Sequence, residues 1–219
     1  MKNRRQNSLL AGLALGLLTF APGMATAQKA VTPQVTRANL ANAATFTVTS
    51  VLIPNGGSKV TQTFRVEIRG NNARLDYADP ATGAVRYLAN SRGVYFVIPA
   101  NKTAVKQNIK GGVEQALQVA FAQANEQLKT AKKIGETKVG AMLTDIYKDA
   151  DTGTTIYVGK TPGFRLPVKT TVANEGGSRT VTVTNIKLNP VIADARFALP
   201  AGMQIIDGGG SPLSGAAPR

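Results

Sequence analysis

The sequence predicts a mainly β protein of the α+β class, with nine or ten short antiparallel strands and one long helix inserted midway along the chain. Two observations predict this class. Over most of the 219 residues the hydrophobic positions alternate with a period of two, which is typical of strands with one buried face. The period changes once, between residues 113 and 128, to that of an amphipathic helix.

The first 27 residues have the features of a cleaved signal peptide. Basic residues at positions 2, 4 and 5 precede an apolar run over residues 9–20, and Ala25-Thr26-Ala27 provides a small-x-small cleavage pattern. The alternative is an N-terminal anchor helix, but the run is short for a membrane span and is followed by Pro22. We expect a periplasmic or secreted protein that begins at Gln28 and, with no Cys to acylate, carries no lipid anchor.

The strand pattern divides into two groups around the helix. A weakly helical segment over residues 35–43 is followed by strands predicted at 45–53, 60–69, 73–78, 84–89, 94–98 and 103–107. The later strands are predicted at 141–147, 154–158, 168–173 and 179–188. Turn residues such as Asn55-Gly56-Gly57 separate the strands. Residues 28–207 are expected to form a single domain, and the Gly-, Pro- and Ser-rich residues 208–219 a disordered tail.

Composition excludes most hydrolase and metal chemistry. The chain has no His and no Cys, so it can form neither a Ser-His-Asp triad nor a zinc site with imidazole or thiolate ligands. We therefore expect no enzyme, no cofactor and no metal. A formal net charge of +14 favours anionic partners such as a membrane surface, whereas nucleic acid is not expected as the ligand of an exported protein.

The predicted helix carries one apolar stripe, formed by Val113, Leu117, Ala120, Phe121, Ala124 and Leu128. Such a stripe can cover the concave face of a large curved sheet. A loose fit would leave an apolar pocket suited to a lipid, and a tight fit would leave no pocket. The pattern alone favours the tight fit, because apolar stripes usually belong to a core.

Several strings along the chain resemble the LolA/LolB superfamily of bacterial envelope lipoprotein carriers. Residues 39–48 resemble the opening of that family, 94–104 its aromatic hairpin with a Pro-centred turn, and 133–147 the strand pair after the helix. Residues 166–169 resemble a closing strand. The residues Asp194, Phe197, Pro200 and Gly202 are similar to the terminal D-x-x-F-x-x-P-x-G signature.

This resemblance implies an incomplete antiparallel β-barrel covered by one long and one short helix, with acyl chains held in its concavity. The implied function is that of a monomeric carrier of lipid or lipoprotein acyl chains that exchanges cargo with a membrane surface or a membrane-bound donor or acceptor protein. An envelope sensor or structural protein that binds a partner protein is the alternative. The family's lid-latching Arg corresponds by position to Arg69, or else to Arg74, although Arg69 is equally compatible with an ordinary solvent-facing charge.

Alternation along the strands and the helix stripe supply candidate lipid-binding residues. Which face of each strand is concave stays open, because a shift of one residue exchanges the two faces. The candidates are Phe46, Val48, Phe64, Val66, Ile68, Tyr95, Val97, Leu117, Phe121 and Leu128.

Overall fold

The computed structural model of this protein describes residues 34–79, 82–109, 112–174 and 176–208. The predicted signal peptide, residues 1–27, and positions 209–219 of the predicted tail lie outside the described residues. In the described part of the chain, no helix combines the length and the apolar character that a membrane crossing requires.

The described residues form twelve strands and one α-helix. The strands are β1 (Ala43–Pro54), β2 (Val60–Arg69), β3 (Asn72–Asp79), β4 (Gly83–Asn90), β5 (Gly93–Ile98), β6 (Thr103–Gln107), β7 (Lys132–Val139), β8 (Met142–Lys148), β9 (Thr155–Gly159), β10 (Pro167–Asn174), β11 (Gly177–Leu188) and β12 (Gln204–Gly208). The helix α1 spans Gly112–Leu128, and short 3-10 turns lie at Arg37–Asn39, Pro99–Asn101 and Asp194–Phe197.

All the strands belong to one curved sheet that is not closed into a barrel, in the order β12-β6-β5-β4-β3-β2-β1-β11-β10-β9-β8-β7. Neighbours pair antiparallel, except that β12 runs parallel to β6. Pairing of β1 with β11 joins the half of the sheet before α1 to the half after it. The predicted class, an incomplete antiparallel barrel with a covering helix, is confirmed. The short helix that was predicted over residues 35–43 is limited to the 3-10 turn Arg37–Asn39.

Two hydrophobic clusters cover the two faces of the sheet. The helix packs against β3, β4 and β10 on what we call the inner face. Here the apolar stripe of α1 meets inward side chains of the strands, among them Phe46, Val66 and Leu75. On the outer face a smaller cluster, including Leu88, Tyr95 and Val97, is covered by Ile192 and Phe197 of the C-terminal segment. The inner face therefore positions α1 as a lid.

Gly112 fixes where α1 begins, because the helix start lies directly on β4. A Cβ at Gly112 would stand 2.5 Å from the Cβ of Ala89 and 3.2 Å from Cγ2 of Val94. Real Cβ atoms do not approach that closely, so we expect Gly112→Ala to push the first turn of α1 away from the sheet. The expected loss in the free energy of unfolding is about 1–3 kcal/mol, measured by urea unfolding.

Two further variants test whether this steric contact is the cause. Gly135→Ala is the control, because the added Cβ meets nothing within 4 Å. The double variant Gly112→Ala with Ala89→Gly removes the Cβ of Ala89 that the new methyl group would meet, and it should recover part of the lost stability. Equal stability of Gly112→Ala and the parent protein would contradict the close packing of the helix start.

Candidate functional site

A partly enclosed hollow of about 140 Å³ lies beneath the C-terminal half of α1. Strands β1, β2, β10 and β11 form its floor. Its apolar lining consists of Val48, Phe64, Val119, Ala120, Phe121, Ala122, Ala124 and Val181. Its polar lining consists of Ser50, Gln62, Gln123, Thr170 and Arg179. The lid is therefore not packed tightly against the whole inner face.

The helix is interrupted at the point where it passes over the hollow. Phe121 has φ −127° and ψ 22°, outside the helical region, and the segment of α1 that lines the hollow is centred on it. No Pro or Gly follows Gly112 within the helix to cause this kink. Instead, the kink coincides with the buried ring of Phe121 packing on Phe46, with centroids 5.9 Å apart.

Pairing between adjacent strands arranges the residues that line the hollow, together with some of their neighbours, in three rows that cross the sheet. The first row contains Phe64, Val48 and Val183 of β2, β1 and β11. The second contains Gln62, Ser50, Val181 and Thr170 of β2, β1, β11 and β10. The third contains Leu52, Arg179 and Val172 of β1, β11 and β10. Along β11, these rows change from apolar to cationic.

The sequence-predicted lipid-binding residues fall into three groups in the structure. Val48, Phe64 and Phe121 line the hollow. Five others are buried in the inner-face core and do not line it: Phe46, Val66, Ile68, Leu117 and Leu128. Half of the predicted set therefore packs around the hollow without lining it.

The prediction for Tyr95 and Val97 requires correction. In the β4–β5 pair Phe96 is opposite Tyr87, whose side chain points to α1, so the residues on either side of Phe96 point outward. Tyr95 and Val97 accordingly belong to the outer-face cluster with Ile192 and Phe197. We exclude them from the proposed site.

Strand alternation could have found some of the polar lining that sequence reasoning missed. Ser50 and Gln62 each follow the inward alternation of their strand, two residues from Val48 and Phe64 respectively. Thr170 and Arg179 carry no such signal, because their place in the site depends on the long-range pairing of β1 with β11 and β10.

Arg69, the predicted lid latch, fastens a different segment. Its Nη1 donates to the backbone O of Ile192 at 2.5 Å, and the guanidinium pairs with Asp194 and lies 5.7 Å from the ring centroid of Phe197. The alternative, Arg74, donates to the backbone O of Arg196 at 3.2 Å. Both residues thus hold the C-terminal segment against the outer face, on the side away from α1.

Other groups anchor the lid itself. The hydroxyl of Tyr87 donates to the backbone O of Gly112 at 2.8 Å at the helix start. Burial, assisted by the charge of Glu114, raises the pKa of Tyr87, so this hydroxyl keeps its proton. In the second half of the helix, Oδ1 of Asn125 accepts from the backbone N–H of Val35 at 3.2 Å. The lid is therefore held at its start and near its end, on either side of the kink.

The basic side chains near the sheet differ in their ion pairing. At the far end of the sheet, Lys133 and Lys160 form ion pairs with Glu136 and Asp145. The distances from each Nζ to the carboxylate oxygens are 2.7–3.6 Å. Hydrogen bonds from Lys133 and Lys160 lower the pKa of Glu136 to about 2. Arg179 of the hollow is different: its Nε donates to Oγ of Ser50 at 3.0 Å, and within the described residues it pairs with no carboxylate.

The same described residues include no group of three or more Asp, Glu, His or Cys side chains placed to hold a metal ion. The arrangement that they do contain is an apolar hollow with neutral polar groups and one cation along one side. Such a site can bind an apolar chain and, at its polar side, an acceptor group.

No protein-family model matches the sequence, and no curated protein matches it. Similar solved structures include a LolA superfamily protein from Nitrosomonas europaea, 11% identical, which covers 72% of this chain and 90% of its own, with a TM-score of 0.38. The Pseudomonas aeruginosa MucA/MucB complex matches at 19% identity, with 74% of this chain and 58% of the matched chain covered and a TM-score of 0.40.

Lipoprotein LppX from Mycobacterium tuberculosis is 13% identical over 70% of this chain and 90% of its own, with a TM-score of 0.38. One of these solved structures is thus described as a LolA superfamily protein, and the sequence of this chain resembles that superfamily. At identities of 11–19% and TM-scores of 0.38–0.40, the function has to be inferred from the residues of the hollow.

Proposed function

We propose that this protein is an exported binding protein that shields the end of an acyl chain from water in the hollow beneath α1. The observation that carries the proposal is the hollow itself, which is lined by Val48, Phe64, Phe121 and Val181 and bounded by a kinked helix. The resemblance of the sequence to the lipoprotein carriers also supports binding of an acyl chain. Without the three basic residues of the predicted signal peptide the formal net charge falls from +14 to +11, which still suits exchange of cargo at an anionic membrane surface.

The volume of the hollow limits the length of chain that it takes. At about 140 Å³ it is close to the roughly 150 Å³ cavity that is known to accept benzene, so it holds about six carbons. Pockets for larger ligands measure about 300–1,000 Å³. The proposed ligand is therefore the end of one chain rather than a complete triacyl group, unless α1 moves.

The energy of chain burial agrees with a carrier that must also release its cargo. Six methylenes at about 0.8 kcal/mol each contribute about 5 kcal/mol. Loss of translational and rotational freedom on association costs about 4–15 kcal/mol. Chain burial alone thus gives weak, reversible binding, and firm binding needs a further contact.

The experiment fills the hollow without removing core contacts. Val181 lines the hollow and is half-buried, so Val181→Phe should occupy the space meant for a ligand. We expect binding of 1-octanol, measured by isothermal titration calorimetry, to weaken at least tenfold, while the free energy of unfolding changes by about 1 kcal/mol or less.

Thr182→Phe is the matched control, because Thr182 is the next residue of β11 and its side chain points to the other face. It should leave 1-octanol binding unchanged. Absence of saturable 1-octanol binding by the parent protein would overturn the proposed function and favour the alternative, an envelope protein that binds a partner polypeptide.

A further inference from the structure

The polar side of the hollow has the features of a site for one negatively charged group. We propose that Arg179 and Ser50 form a carboxylate-binding subsite, so that the ligand is a single-chain fatty acid with its carboxylate at Arg179 and its chain beneath α1. This inference rests on the proposed function and names the class of ligand for the same hollow.

Arg179 has more hydrogen-bond donors than the described residues use. A guanidinium has five N–H donors in a planar fork. Within the described residues, Nε of Arg179 donates to Ser50 and the two terminal nitrogens make no hydrogen bond. The parallel N–H donors of these two nitrogens match the two oxygens of a carboxylate. Ser50, which is only 6% exposed, holds the fork in position through this hydrogen bond.

No described residue of the lining offers a charge that competes for Arg179. Among the described residues, those that line the hollow include no Asp and no Glu. Lys133 and Lys160 differ, because Glu136 and Asp145 already neutralise them. A ligand carboxylate at Arg179 therefore displaces no carboxylate of the described residues.

The lining residues of β11 change in polarity along the strand. Val181 and Arg179 both line the hollow and point to the same face at successive rows, and rows two residues apart are separated by about 7 Å along a strand. On β11 the site therefore changes from apolar to cationic over about 7 Å. This is the polarity of a fatty acid, whose apolar chain ends in one charged group.

Two neutral groups can complete the subsite. Thr170 is 3% exposed, lines the hollow and lies in the same row as Ser50. Gln123 of α1 faces the hollow with its Oε1 buried and without a hydrogen-bond partner among the described residues. Buried amides are rarely left unpaired, and rotation of this one would present its NH₂ group to a carboxylate.

The test compares octanoate with 1-octanol, which differ only in the headgroup. Calorimetric titration of the parent protein should show tighter binding of octanoate. Arg179→Gln should weaken octanoate binding by about 10- to 100-fold, the range expected for hydrogen bonds to a charged group, and change 1-octanol binding by less than about twofold. Acetate, which has the headgroup without the chain, should bind far more weakly than octanoate.

Two further variants keep the test decisive. Arg65→Gln is the control for net charge, because Arg65 is exposed on the outer face of β2; it should leave both titrations unchanged. Ser50→Ala releases the Arg179 fork and should weaken octanoate binding selectively, even if Arg179→Gln fails to fold.

The outcomes separate the two proposals. Equal affinity of the parent protein for octanoate and 1-octanol, or unchanged octanoate binding by Arg179→Gln, would overturn the carboxylate subsite and leave the proposed function standing. Equal weakening of both ligands by Arg179→Gln would also overturn it, because a contact between Arg179 and a carboxylate stabilises octanoate far more than the neutral hydroxyl of 1-octanol. Failure of both ligands to bind the parent protein would overturn the proposed function itself.

Discussion

Replacing Phe46 with Ala is expected to lower the free energy of unfolding by about 3–5 kcal/mol, the range for deletion of a buried aromatic side chain. Phe46 is 2% exposed. Its ring lies between two others, with centroids 5.9 Å from Phe121 and 5.5 Å from Phe164. The ring joins β1 to the kink of α1 and to the loop before β10, so Ala would leave a cavity that neither neighbour can easily fill.

Urea unfolding measures this loss, with Thr47→Ala as the control. Thr47 follows Phe46 on β1 and points to the outer face, so its truncation should cost about 1 kcal/mol or less. Binding of 1-octanol to folded Phe46→Ala should be retained, because Phe46 does not line the hollow. A small loss of stability together with loss of 1-octanol binding would instead make Phe46 a ligand contact.

The strands of the first half of the sheet could be predicted from sequence because their two faces differ in polarity. In β2, Phe64, Val66 and Ile68 are buried, whereas Arg65 is exposed and Glu67 half-buried. That alternation sets the register against β1 and β3 and makes the period visible. The predicted candidates Val48 and Phe64 follow the same alternation into the hollow.

Strand β5 shows why alternation alone cannot assign a face. Its sequence contains Val94, Tyr95, Phe96 and Val97 in succession, and three of these are buried because α1 covers one face and the C-terminal segment the other. The sequence of a strand that is covered on both faces is a nearly continuous apolar run. The sequence of β5 therefore does not show whether Tyr95 and Val97 or their neighbours face α1.

The two edge strands are not predicted by alternation, for the opposite reason, and only the family resemblance of residues 133–147 implied β7. Strand β7 carries Lys132, Lys133 and Lys138 and has no fully buried residue, as is common where charges protect a sheet edge. Strand β12 is largely exposed and pairs in parallel with β6 at the other edge. Neither strand buries enough apolar surface to produce a period of two.

The polar half of the site depends on contacts between distant parts of the chain. Arg179 reaches Ser50, 129 positions away, because β11 pairs with β1. An Arg in a strand of alternating Thr and Val gives no indication of which distant strand lies beside it. The sequence could therefore supply candidates for the apolar lining, but not the cation that gives the hollow a preferred headgroup.

Arg37 is the residue that fastens the segment beside the lid. Its guanidinium donates to four backbone carbonyls: Nη1 to Leu40 at 2.7 Å and to Ala41 at 2.9 Å, Nε to Gly70 at 3.1 Å, and Nη2 to Asn42 at 3.1 Å. These bonds tie residues 37–42 to the turn between β2 and β3. A planar guanidinium suits such a contact, because its fork can reach several backbone carbonyls at once.

We expect Arg37→Ala to lower the free energy of unfolding by about 2–4 kcal/mol, since hydrogen bonds to charged groups contribute about 1.5–3 kcal/mol each when buried and these are partly exposed. Arg37→Lys should recover less than half of that loss, because an ammonium group cannot span the carbonyls that a planar fork reaches. Arg165→Ala, which removes an exposed Arg close to Arg37 in the fold, is the control. Urea unfolding measures all three variants.

Hydrogen exchange of the α1 amides then tests whether Arg37 acts on the lid or only on global stability. Val35, which is 1% exposed, lies two residues before Arg37 and donates from its backbone N–H to Asn125 of α1. Release of this segment should therefore increase exchange in the second half of α1, beyond the kink at Phe121, more than in the first half, which Tyr87 still anchors at Gly112. Faster release of 1-octanol should accompany it, because that half covers the hollow. Uniform acceleration along the whole helix would mean that Arg37 supports the fold without controlling the lid.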